Sequence, residues 1–200
     1  MGFEIKRVGV IGAGQMGNGI AHVCAIAGYD VSLNDLSTER IQLGLATING
    51  NMTRQVNKGL VAEDVKNAAL ARIRAAENLD ALADCDLVIE AATEQEQVKR
   101  KIFQQLCPVL KPEALLATNT SSISITRLAA ATDRPERFVG VHFMNPVPVM
   151  QLVELVRGIA TDDVTFDLCK AFVARLGKIP TIAEDFPAFI VNRILLPMIN

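Results

Sequence analysis

An apolar run of Val8, Val10 and Ile11 leads straight into Gly12-Ala-Gly14-Gln-Met-Gly17, and a helical pattern follows. Each glycine permits something different. Gly12 allows a tight turn out of a strand, Gly14 leaves room for a pyrophosphate to approach the backbone, and Gly17 lets the next helix pack close to the sheet. With Gln15 and Met16 they set a helix N-terminus, its N–H groups and positive dipole end, against the phosphates. A glycine triplet alone suits any tight turn. Here a second strand, Asp30–Asn34, follows the helix and is closed by Asp35. That is about the distance past the glycines at which a carboxylate meets an adenosine ribose. Strand, turn, helix, strand and acid in this order predict a dinucleotide-binding unit.

The rest of the chain extends the alternation. Helical periodicity predicts helices over 37–58, capped by Ser37 or Thr38, and over 62–72, with a short strand at 73–77. The continuous apolar run 86–92 reads as a strand covered on both faces. A helix over 95–110, a strand Leu115–Thr118, a short helix over 123–131 and strands Phe138–Phe143 and 151–156 follow. The pattern closes with a helix over 165–176, a strand over 180–183 and a last helix opened by Pro187 and running to 200. Strands alternating with helices predict an α/β fold, a Rossmann-type doubly wound and mainly parallel sheet. The last segment, with Phe189, Ile190, Val191, Ile194, Leu195 and Leu196, is too apolar to stand alone. It divides the chain into a nucleotide-binding domain over 1–185 and the start of a second, helical domain over 186–200.

Bulk properties exclude several partners. Two hundred residues can bury a sizeable core, and a formal charge of −2 gives no electrostatic reason to bind nucleic acid. Trp is absent and Tyr29 is the single Tyr, so base-stacking platforms are not expected either. Cys24, Cys85, Cys107 and Cys169 are widely spaced, with no C-x-x-C pair, and read as buried thiols in a reducing compartment rather than as metal ligands. The first strand begins almost at once, with no signal or transit pattern, and no apolar run is long enough to span a bilayer. The expectation is a soluble, cytoplasmic chain without a metal.

Two histidines are available for chemistry. His22 falls on the helix after the glycine turn and reads as a surface or packing residue. His142 ends a central strand, where ligands sit in open α/β sheets. The next strand carries Glu154 in a wholly apolar setting, which is costly for a carboxylate unless it is paired. Adjoining strands can bring Glu154 to His142, giving either a general base with its orienting partner or a buried ion pair without turnover. Asn119-Thr-Ser121-Ser122 and Glu90-Ala-Ala-Thr-Glu94 end strands at the same edge. The hydroxyls there suit a substrate oxygen, a nicotinamide ribose or a helix cap. Lys58, Lys99, Arg100 and Lys101 read by default as solvated charges.

Taken together, Gly12-Ala-Gly-Gln-Met-Gly17, Asp86-Leu-Val-Ile-Glu-Ala-Ala92, Thr118-Asn-Thr-Ser-Ser122, the run from His142 to Glu154 and Phe189-Ile-Val-Asn-Arg193 resemble the L-3-hydroxyacyl-CoA dehydrogenase family over essentially the whole chain. The resemblance implies an NAD-dependent oxidation of a (S)-3-hydroxyacyl-CoA to the 3-oxoacyl-CoA. It makes His142 the base, Glu154 its orienting carboxylate, and Ser121 and Asn192 contacts of the reacting end of the substrate. It adds Glu94, Lys99, Ser121 and Asn145 to the glycine turn and Asp35 as cofactor contacts. Lys58 matches a position that meets the coenzyme A phosphates, while the neighbouring serine of the family stands here as Asn51. Two other positions depart from the pattern: Met144 where Phe is common, and Asp185-Phe-Pro-Ala where Pro-Gly is usual. Family members continue through a helical domain that forms a homodimer interface, so the resemblance implies a chain ending in that domain's first helix.

Rival readings remain at this level. A lysine-based β-hydroxyacid dehydrogenase shares the glycine turn, but no lysine lies near Asn192. A crystallin-like or nucleotide-binding relative would keep the fold without turnover, and a 3-hydroxyadipyl-CoA dehydrogenase would differ only in the acyl group.

Overall fold

β1 (Arg7–Ile11) starts the sheet because its apolar residues are flanked on both sides by others of the same kind: β2 (Asp30–Asn34) on one edge and β4 (Leu87–Glu90) on the other. The computed structural model describes residues 3–199. With β3 (Ile73–Ala76), β5 (Leu115–Thr118), β6 (Phe138–Phe143), β7 (Leu152–Arg157) and β8 (Ile179–Glu184) these strands form one sheet in the order β3-β2-β1-β4-β5-β6-β7-β8. The first six are parallel; β7 runs antiparallel to β6, and β8 parallel to β7. The direction of winding reverses between β1 and β4. A crevice opens there beyond the strand C-termini, the usual ligand site of such sheets.

Among the described residues seven α-helices cover the sheet: α1 (Gln15–Ile26), α2 (Thr38–Asn57), α3 (Glu63–Ala71), α4 (Glu96–Leu106), α5 (Ile125–Ala129), α6 (Asp163–Arg175) and α7 (Val191–Ile199). Alternate strand residues feed two separate cores. Val8, Val10, Leu33, Leu87, Ile89, Val139, Val141 and Phe143 meet Ile20, Ile48 and Phe172 on one face. Val88, Leu116, Phe138 and Val156 meet Phe103, Leu106, Ile125 and Leu128 on the other. The doubly apolar strands of the sequence are thus explained by burial on both faces. Ser37 caps α2, accepting the Arg40 N–H. All four cysteines are free and buried.

The structure corrects the sequence reading at the last helix. Pro187 does not open it; Pro187 lies in a turn, and α7 begins at Val191. The reason is local: Ala188 and Phe189 have φ of 64° and 48°, and a right-handed helix cannot run through left-handed residues. Short 3-10 turns at Leu79–Leu82 and Pro135–Arg137 add to the expected elements, and β8 is longer than the run over 180–183. Asn200 lies outside the described residues. Among the described residues no helix is long and apolar enough to cross a membrane.

Candidate active site

The glycine turn has the shape its spacing suggested. Gly12 has φ of 101°, and a Cβ there would stand 2.6 Å from the Ala91 carbonyl oxygen. A Cβ on Gly17 would lie 1.6 Å from the Gly12 carbonyl oxygen, so α1 touches the turn it follows. Gly14 differs: its φ is −65°, and an added Cβ would meet no protein atom within 4 Å. The protein itself does not require glycine there, whereas a ligand lying on the backbone does. No side chain caps α1, and no acidic residue occupies its first turn. These features fit a pyrophosphate on the N–H groups of Gln15, Met16 and Gly17.

Asp35 stands at the end of β2. Its carboxylate accepts the N–H groups of Ala13 and Leu36, each at 2.7 Å, and the Arg40 guanidinium lies 3.8 Å away. Gly12, Asp35, Arg40, Asn78 and Ile102 line one cavity of about 320 Å³, on the β2 side of the turn.

A second cavity, about 430 Å³, adjoins it and is lined by Met16, Glu94, Lys99, Ser121, His142, Asn145 and Asn192. One oxygen of Glu94 holds the loop after β5, accepting Thr120 Oγ1 at 2.6 Å, Ser121 N at 2.8 Å and Ser121 Oγ at 3.0 Å. Burial pushes the Glu94 carboxyl up, but these hydrogen bonds and the Lys99 charge outweigh it and hold the group below the usual carboxylate range. Lys99 is not solvated. It is 1% exposed and reaches under the cavity to Glu90, at 2.7 and 2.9 Å, with Glu94 at 3.9 Å. Glu90 and Thr118 face each other across β4 and β5, so Lys99 fastens α4 to the ends of both strands.

The histidine pair follows from register. His142 and Glu154 are directly opposed in the antiparallel β6–β7 ladder, which puts both on one face. Nδ1 of His142 lies 2.7 Å from Oε2 of Glu154, and Glu154 is fully buried. Glu154 Oε1 accepts the N–H groups of Ile190 and Val191, at 2.9 and 2.8 Å. Burial pushes the Glu154 carboxyl up, and the His142 hydrogen bond with those two N–H groups more than reverses it, leaving it low. A carboxylate so held accepts from Nδ1–H, which leaves Nε2 as the ring nitrogen free for proton transfer. Asn192, on the first turn of α7, donates to the Ser121 carbonyl at 3.4 Å. Asn145 accepts from Gln15 Nε2 at 3.1 Å, joining the loop after β6 to the glycine turn.

Lys58 stands apart, exposed at the end of α2 beside a cleft shared with Asn51, Arg54 and Pro148. Asn51 itself bonds Arg54. His22 is a packing residue, buried with Nε2 2.9 Å from Gln55 Oε1. Sequence reasoning missed Asp185, which caps α5, and Lys178, which holds the Val147 and Met150 carbonyls. It also missed Phe189. An aspartate just past a strand was the one available signal. Among the described residues no three His, Cys, Asp or Glu side chains gather as a metal site.

Residues 7–186 match the family model described as 3-hydroxyacyl-CoA dehydrogenase, NAD binding domain. This chain belongs to the 3-hydroxyacyl-CoA dehydrogenase family. A 3-hydroxybutyryl-CoA dehydrogenase of Bradyrhizobium diazoefficiens is 72% identical over 200 residues, covering 100% of this chain and 68% of the relative. The crystal structure of (S)-3-hydroxybutyryl-CoA dehydrogenase from Ralstonia eutropha superposes with a TM-score of 0.96 at 48% identity, over 98% of this chain and 70% of that one. The 3-hydroxyadipyl-CoA dehydrogenase of Escherichia coli is 43% identical over 198 residues, 42% of its own length. A 3-hydroxyacyl-CoA dehydrogenase is an NAD-dependent oxidoreductase.

Proposed function

We propose that the protein oxidises the hydroxyl of (S)-3-hydroxybutyryl-CoA, reversibly, with His142 as the base. The observation that carries this is the buried His142–Glu154 contact of 2.7 Å at a cavity shared with Ser121, Asn192 and the cofactor side of the sheet. The chemistry NAD supplies when bound is acceptance of a hydride from C3. His142 Nε2 takes the hydroxyl proton, and Glu154 stabilises the imidazolium that results. Ser121 Oγ donates to Glu94 and so does not compete with His142 for the hydroxyl proton; it lines the cavity beside the reacting end of the substrate. The Asn192 amide orients the substrate from the α7 side, and Lys58 with Arg54 meets the phosphates of coenzyme A. Glu94, Asn145 and Lys99 support the nicotinamide half, Lys99 through the carboxylates it holds rather than from solvent.

The butyryl preference is supported by 72% identity to a 3-hydroxybutyryl-CoA dehydrogenase against 43% to a 3-hydroxyadipyl-CoA dehydrogenase. We further propose a cytoplasmic enzyme in which 1–185 form the NAD-binding domain, and 186–200 begin a helical domain through which two copies pair. Unpartnered apolar side chains on α7, among them Ile194, Leu195 and Met198, support that reading. The test is His142→Gln in the full-length protein. Turnover of (S)-3-hydroxybutyryl-CoA is expected to fall by about a hundredfold or more while NAD affinity stays nearly constant. Wild-type turnover in this variant would exclude His142 as the base, and absence of turnover in the unsubstituted protein would leave a nucleotide-binding protein without this chemistry.

A further inference from the structure

The segment between β8 and α7 is held at both ends by carboxylates. At its start Asp185 accepts Ser124 Oγ and the N–H groups of Ile125 and Thr126, each at 2.8 Å, tying the turn to α5. At its end Glu154 accepts the N–H groups of Ile190 and Val191. Between these anchors Ala188 and Phe189 both occupy the left-handed region. Residues with a Cβ avoid it, so the surroundings must over-determine the conformation. Its product is the seat of one ring. Phe189 is 2% exposed, and its centroid lies 6.0 Å from that of the His142 imidazole at an interplanar angle of 59°.

We propose that Phe189 is a positioning residue for His142, an inference that rests on His142 being the base. Glu154 grips the imidazole only through Nδ1, which fixes one edge and leaves the ring free to tilt. The phenyl ring closes the apolar side and removes that freedom. The turn that seats it also delivers two N–H groups to the other oxygen of Glu154, so the carboxylate cannot rotate to follow a displaced imidazole. Turn, carboxylate and imidazole therefore form one unit. The ring also keeps water from the His142–Glu154 contact, whose electrostatic strength depends on a dry surrounding. A base held this way meets the sub-ångström tolerance of proton transfer; one held by Nδ1 alone does not.

The test compares Phe189→Ala and Phe189→Leu in the full-length enzyme. Phe189→Ala is expected to lower kcat by about tenfold or more, with KM for the acyl-CoA and NAD affinity held within about twofold. Phe189→Leu refills the apolar volume and restores most of kcat. The imidazole nitrogen NMR resonances that vanish in His142→Gln identify His142 in the full-length enzyme. They should report a single Nδ1–H tautomer in wild type and in Phe189→Leu, and a mixture in Phe189→Ala. Unchanged kcat and a single tautomer in Phe189→Ala would overturn the proposal. So would equal losses in both variants that track their melting temperatures, the mark of a purely structural role. His142→Gln run alongside separates the two ideas. If it lowers turnover by about a hundredfold or more while Phe189→Ala leaves kcat unchanged, only the positioning role fails; if it leaves turnover intact, both fail.

Discussion

Asp35 divides its carboxylate between the N–H groups of Ala13 and Leu36 and so fixes the glycine turn, and in the proposed reading it also meets the adenosine ribose. A 2′-phosphate would bring two further negative charges against it. Arg40, with its side chain 65% exposed and 3.8 Å away, is too well solvated to offset them. Calorimetric titration should therefore find NAD bound at least about tenfold tighter than NADP, about 1.4 kcal/mol. At the second cavity, Lys99 and Glu90 are both within 1% of complete burial. Lys99→Met leaves Glu90 an uncompensated buried charge and should cost about 3–5 kcal/mol in denaturant unfolding, whereas a solvated lysine would cost almost nothing. Glu154 and Glu94 both titrate below the usual glutamate value. Depressed carboxyls contribute their stability above the unfolded value of about 4.3 and lose it as pH falls through the folded one. Denaturant midpoints should accordingly hold from neutral pH to about 5 and drop below about 4.3, with a shallower drop in Glu154→Gln.

At the scale of elements, legibility follows burial. β4 and β5 are buried on both faces, which leaves an unbroken apolar signature. The glycine turn was legible because sterics allow few other residues at Gly12 and Gly17. His142 and Glu154 could be named from their polarity in apolar strands, but their register needed the sheet. The turn before α7 could not be read, because left-handed backbone at Ala188 and Phe189 leaves no mark when neither residue is glycine. The usual Pro-Gly of the family is the residue pair such a turn wants. Ala188→Gly should therefore release strain and stabilise the protein by about 1 kcal/mol, less the larger chain entropy glycine carries when unfolded. A lowered melting temperature in this variant would show that Ala188 is not strained. The default reading of Lys99 as a solvated charge failed for a different reason: charge predicts exposure only when no buried partner waits, and Glu90 is that partner.

Over the whole molecule, the groups proposed to hold the cofactor come from β1, β2, β4, β5, β6 and the segments after them, a set held by both cores. Residues 1–200 should thus bind NAD by themselves and be stabilised by it, gaining about 2.7 kcal/mol at a concentration one hundred times the dissociation constant. A melting curve indifferent to NAD would contradict that division of labour. The β6–β7 ladder carries one more consequence, for assembly rather than turnover. Side chains alternate faces along a strand, so a slip of one residue would set Glu154 against Val141 or Phe143 instead of His142. It would then be a lone carboxylate sealed in hydrocarbon, a penalty of several kcal/mol, because its neighbours on both strands are apolar. The acid and the imidazole thus act as a latch during folding: the sheet closes stably only in the alignment that also builds the reaction centre, so a misaligned chain is selected against before any substrate arrives.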